Sequence, residues 1–183
     1  MSAHLELKPR TRIVNIAAKL FYDHGINTVG VAQICEEANV SKRTLYQHFA
    51  TKEDLVVATM LKLGDEWFTA CINAPSDDPK ERIRHVFTMV ESMAVHPDFY
   101  GCVFMNTSIE LRGTGAPAVA TVTDTKAKLY DYFLEQASRM HAKEPATLAE
   151  QLALLYDGCS AWIVMRHTFP TSVFRTLSLL LER

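Results

Sequence analysis

Apolar side chains recur along this chain at spacings of three and four residues, while sustained period-two runs of β-branched residues are scarce. That spacing gathers them on one face of a 3.6-residue helix, so the pattern predicts an all-α fold. Caps and breakers divide it into about nine helices. The first is expected over roughly Pro9 to His24, with Ile13, Ile16, Ala17, Leu20 and Phe21 inward and Gly25 where the end wants a left-handed residue. Two short segments follow, Val31 to Ala38 and Lys42 to Phe49, separated by the tight turn Asn39-Val40-Ser41. Thr51-Lys52-Glu53-Asp54 has the hydroxyl and carboxylate of a capping box and launches a fourth helix through Val56, Met60, Leu63 and Trp67 to about Cys71. Beyond the break at Asn73 to Asp78, Asp78-Pro79-Lys80-Glu81 restarts a helix along Ile83, Val86, Val90 and Met93. Further helices are expected over Tyr100 to Leu111, Pro117 to His141, Thr147 to Arg166 and Ser172 to Leu181.

This punctuation suggests a small head over residues 1–52, a connecting helix over about 52–71 and a larger body over 53–183. With 48% hydrophobic and 22% charged residues the chain can bury a substantial core, so dominant disorder is excluded. The net charge of -2 conceals an asymmetry: residues 1–52 hold seven Lys/Arg against four Asp/Glu, and the remainder twelve against seventeen. A mildly basic head therefore sits on an acidic body. Cys35, Cys71, Cys102 and Cys159 form no C-x-x-C pair, and Met1-Ser2-Ala3-His4 opens a polar stretch without the apolar run of a signal peptide. The apolar tracts fall well short of the ~20 residues of a membrane span. A cytoplasmic, reduced protein is expected, with no membrane partner.

Two short helices across a tight turn are the parts of a helix-turn-helix, which lays its second helix in the DNA major groove while the first crosses the backbone. Val31, Ile34 and Ala38 supply the supporting face, Val40 the turn, and Leu45 and Phe49 the inner side of the reading helix. The candidate DNA contacts are Ser41, Lys42, Arg43, Thr44, Tyr46, Gln47 and His48, with Lys52 at the next helix start. Lysine and arginine neutralise phosphates, hydroxyls hold phosphate oxygens, and Arg or Gln can read base edges. Tyr46 and His48 also admit a packing role, and each cation taken alone is ordinary solvated surface.

Ile13 through Leu55 resembles the DNA-binding domain of the TetR family, whose signature ends in a stretch similar to Val40-Ser41-Lys42-Arg43-Thr44-Leu45-Tyr46-Gln47-His48-Phe49. Ala17, Leu20, Phe21, Gly25, Val31, Ile34 and Ala38 upstream, and Lys52, Glu53 and Leu55 downstream, stand at family positions. Asn39 replaces the usual turn glycine, a substitution that asparagine's tolerance of left-handed backbone permits. Arg43 replaces a residue that is often small. The resemblance covers about a quarter of the chain. It implies a homeodomain-like three-helix head, a C-terminal ligand-binding and dimerisation domain, a homodimer on double-stranded operator DNA, and repression relieved by a small-molecule inducer.

In the body, Trp67, Met89, Met93, Tyr100, Cys102, Met105, Asn106, Tyr130, Phe133, Trp162 and Met165 are candidate effector contacts, although helical cores use the same residue types. Glu110, Arg112, Arg166 and His167 are further polar residues in apolar surroundings, open to capping or ion-pair roles. Gly101-Cys102-Val103-Phe104-Met105-Asn106 resembles a short motif of one TetR subset. Cys102 near a helix start is open to two readings, a redox or electrophile sensor and a small buried side chain. Leu152, Leu155, Cys159 and Ile163, with Phe174, Leu177, Leu180 and Leu181, form two apolar stripes expected to meet a second copy as a four-helix dimer interface.

No H-E-x-x-H, P-loop, dinucleotide fingerprint or G-x-S-x-G occurs, and neither histidines nor cysteines show metal-ligand spacing, so no catalytic residue, cofactor or metal is expected. Three readings stay open: an inducible repressor, a thiol-sensing regulator of the same fold, and a small helical enzyme or interaction module without DNA binding.

Overall fold

The computed structural model describes residues 7–182. Among the described residues the chain forms nine helices and no strand: α1 Pro9–His24, α2 Val31–Glu37, α3 Lys42–His48, α4 Lys52–Ile72, α5 Pro79–Ala94, α6 Val103–Glu110, α7 Pro117–Arg139, α8 Pro145–Arg166 and α9 Val173–Leu181. The all-α expectation holds. The expected caps account for several boundaries. Thr51 and Asp54 exchange bonds, Thr51 N–H donating to Asp54 Oδ2 at 2.9 Å and Asp54 N–H to Thr51 Oγ1 at 3.0 Å, which closes the capping box at the start of α4. Asp78 Oδ1 accepts from Lys80 N–H at 2.9 Å, with Pro79 in the first turn of α5. Asn39 stands at φ 49°, the left-handed turn residue expected of it. Two starts differ from expectation. α6 begins at Val103 rather than near Tyr100, after Gly101 at φ 93°, and α8 begins at Pro145, whose missing N–H suits a first helical position.

The helices fall into two compact units that interleave along the sequence. One contains the chain up to Asp65 together with Val103–Thr123, the other Glu66–Cys102 together with the chain from Asp124 onward. The first unit therefore carries α1 to α3, most of α4, all of α6 and the opening of α7. Its core is built from Ile13, Ala17, Leu20, Phe21, Ile34, Ala38, Leu45, Leu55 and Met60, all buried. The second unit packs α5 and the remainder of α7 with α8 and α9. Phe87 stacks on Phe133 at 6.2 Å, surrounded by Ile83, Val86, Leu152, Ile163, Leu177 and Leu181. Both cores are closed by aromatic and branched aliphatic side chains, whose burial dominates the stability of such domains.

Candidate nucleic-acid interface

Helices α2 and α3 present opposite characters inward and outward. Ile34, Ala38, Leu45 and Phe49 are buried, which pins the pair against α1. The outer face of α3 carries Lys42, Arg43, Tyr46, Gln47 and His48, all exposed, with Tyr46 50% accessible. Thr44 is half-buried. Ser41 caps the helix, its Oγ accepting from Thr44 N–H at 3.0 Å and lying 2.8 Å from Thr44 Oγ1. The seven residues of α3 include no acid, so its outward surface is a cationic and hydrogen-bonding strip suited chemically to phosphate and base edges.

The neighbouring elements hold this strip in place through bonds that sequence inspection missed. Arg12 on α1 donates from Nε to the Ala38 carbonyl at 2.7 Å and from a terminal nitrogen to the Asn39 carbonyl at 3.2 Å, tying down the α2–α3 turn. Arg10 lies over the Phe49 ring at 5.2 Å. Basic residues near a helix start look like solvated surface in a sequence, and only their distance to a turn 26 residues away reveals the role. Lys52, expected among the DNA contacts, is half-buried, with Nζ donating to the Ile26 carbonyl at 2.5 Å and lying 5.9 Å from the Phe21 ring centre. Burial lowers its pKa, with Glu110 opposing the shift.

Comparison with known proteins places this geometry. The family model for bacterial regulatory proteins of the tetR family matches residues 13–59. A solved structure described as a TetR transcriptional regulator from Streptomyces avermitilis superposes with a TM-score of 0.87 at 36% identity, covering 96% of this chain and 97% of that one. The chain belongs to the TetR family. A second TetR-family regulator, from Streptomyces coelicolor, superposes with a TM-score of 0.83 at 26% identity over 95% of this chain and 92% of its own. The transcriptional regulator UidR of Escherichia coli K12 is 30% identical over 131 residues, which span 71% of this chain and 64% of UidR. This chain thus aligns with less than two thirds of that relative.

As a TetR-family body, the second unit redistributes the candidate effector residues. Phe133 is core, stacked on Phe87. Tyr130 is half-buried against the same cluster, and Trp67 faces Tyr156 at 6.3 Å with its indole N–H buried. Met89 and Met93 are half-buried on α5. Tyr100, Trp162 and Met165 are surface residues in this chain, Met165 70% accessible and Trp162 lying beneath the Arg166 guanidinium at 5.4 Å. Met105 and Asn106 lie on α6, within the first unit, both half-buried. Arg112 and His167 are exposed, His167 ending α8 in the left-handed conformation.

The residues expected at the dimer interface divide between core and half-buried positions. Leu152, Cys159, Ile163, Leu177 and Leu181 are buried in this chain's own core, and Leu155, Phe174 and Leu180 pack against it. The apolar residues that α8 and α9 leave open are Leu154, Trp162, Val164, Met165 and Leu179. All four cysteines are free and buried. Burial pushes the Cys71 thiol up to about 12 and the Cys159 thiol to about 11, and raises that of Cys35, so these three stay protonated near neutrality. Cys102 lies in the second unit immediately before α6. Among the described residues no His/Cys/Asp/Glu group is arranged to hold a metal ion, and no helix is long and apolar enough to cross a membrane.

Proposed function

We propose that this chain is a DNA-binding transcriptional regulator that grips operator DNA as a homodimer and is released from it by a small-molecule inducer. The observation that carries the reading is the amphipathic split of α3. Leu45 is sealed inside while Lys42, Arg43, Tyr46, Gln47 and His48 stand outside with no acid among them. A short helix with that split, braced by α2 and by Arg12, has the form required to enter a major groove. Family membership supports regulation over catalysis. TetR-family structural relatives are described as transcriptional regulators.

The homodimer is supported by α8, which carries a second apolar stripe on the side away from its own core. One chain covers only the side carrying Leu152, Cys159 and Ile163. Leu154, Ala161 and Met165 repeat at seven and four residues along the opposite side, joined there by Gly158, beside which a side-chain carbon would meet nothing within 4 Å. An exposed apolar stripe favours covering, and a second copy offering the same face supplies it by two-fold symmetry. Two reading helices so related engage half-sites about 34 Å apart or a multiple of that spacing. The sensor is proposed to use the second unit's interior near Trp67 and Tyr130. The thiol-sensing alternative rests on Cys102, which lies immediately before α6.

The test is selection of a duplex from a random-sequence library by the full chain, followed by binding measurements with Lys42→Ala and Arg43→Ala. Selection of a defined sequence, and weaker binding by both variants, is expected. Equal affinity for every duplex sequence would overturn the reading.

A further inference from the structure

The turn between α1 and α2 is held from both sides by two charged residues distant from it in sequence. Glu110, the last residue of α6, accepts the Ile26 N–H on Oε2 at 2.9 Å and the Asn27 N–H on Oε1 at 2.5 Å. Lys52, the first residue of α4, donates to the carbonyl of the same Ile26 at 2.5 Å. Both the donor and the acceptor of one residue's backbone are thereby engaged by ionised side chains, the strongest class of protein hydrogen bond. Gly25 makes the approach possible. At φ +85° its Cα is open, and a Cβ there would stand 3.3 Å from both Glu110 oxygens. On either side of the turn Ile26 and Val29 are buried, and Gly30 then caps α2, so the position of this turn sets where the α2–α3 pair begins.

We propose that Glu110 and Lys52 are positioning residues for duplex recognition, a clasp that orients the α2–α3 pair through the α1–α2 turn, with Lys52 acting on the turn rather than on a phosphate. The proposal rests on the DNA-binding reading above and names two residues that work at a distance from the contact strip. Lys52 has little freedom to serve a phosphate: its nitrogen is committed to the Ile26 carbonyl, lies 5.9 Å from the Phe21 ring centre, and is half-buried. Glu110 offers a sharper argument. Removing a carboxylate from a DNA-binding protein should, on charge alone, strengthen binding to a polyanion. A positioning role predicts the opposite sign.

The experiment uses the full chain and the duplex that the wild type selects from a random library, titrated across a salt series, with amide hydrogen exchange followed at Ile26 and Asn27. Glu110→Ala is expected to weaken binding about tenfold, the scale of one charge-assisted hydrogen bond, with an unchanged salt slope and faster exchange at both amides. Glu110→Gln keeps one carbonyl acceptor and should fall between; it guards against a variant that fails to fold, as do melting curves of both. Lys52→Gln should weaken binding without changing the slope. Binding by Glu110→Ala or Glu110→Gln as tight as the wild type would overturn the proposal. A loss of about one phosphate's worth of slope per protomer in Lys52→Gln would also overturn it. Failure of the wild type to select any duplex would remove the DNA-binding reading itself, and that arm alone distinguishes the two failures.

Discussion

At the scale of single residues, exposure decides which cations remain available. Lys42 and Arg43 project from α3 with no acid in the same helix, whereas Lys52, chemically equivalent in the sequence, is spent on the Ile26 carbonyl. If Lys42 of each protomer neutralises one phosphate, Lys42→Ala should lower the salt slope of dimer binding by about 1.8, two phosphates' worth, and weaken all duplexes alike. Salt-dependent titrations of variant and wild type provide the check. Thiol chemistry also belongs at this scale. Cys71 and Cys159 are raised to about 12 and about 11 from an ordinary 9.0, so the folded chain keeps both protons at pH values where the unfolded chain loses them. Their contribution to stability is complete below pH 9 and fades as pH rises through 11 to 12. Melting temperature should therefore fall on the alkaline side. The fall should be shallower in Cys71→Ala/Cys159→Ala, and a limb of equal steepness would refute the assignment.

Elements depend on caps and turns that a sequence states openly. Asp78-Pro79 begins α5, and the Thr51–Asp54 exchange begins α4, both legible because capping chemistry is local. Asp78→Ala should cost about 1 kcal/mol, measured as a shift in the denaturation midpoint. The α2–α3 turn makes a similar demand. With Asn39 at φ 49°, Asn39→Ala should lose about 1 kcal/mol while Asn39→Gly retains full stability, and equal denaturation curves for both would show that the turn relaxes. Helix α8 is where element-level reading falls short. Its two apolar stripes, Leu152-Cys159-Ile163 and Leu154-Ala161-Met165, have the same helical period. Periodicity identifies the helix without saying which stripe its own chain covers.

At the scale of the whole molecule, that choice determines what a partner can meet. Leu154 and Met165 are 68% and 70% accessible. Leu154→Glu/Met165→Glu should yield a folded monomer by light scattering, with helical content intact and binding to the selected duplex strongly reduced. Retention of the dimer would place the interface elsewhere. The all-α class, the helix boundaries to within a few residues, and the polar strip from Ser41 to His48 were all legible in the amino acids, because helical period, capping and turn chemistry act over three or four residues. The inward turn of Lys52, the brace from Arg12, the grip of Glu110 on Ile26 and Asn27, and the burial of one α8 stripe rather than the other were decided only by the tertiary structure. Each depends on which side chain lies across from which after the chain has folded, and contacts between residues 26 to 84 positions apart leave no local trace in the sequence.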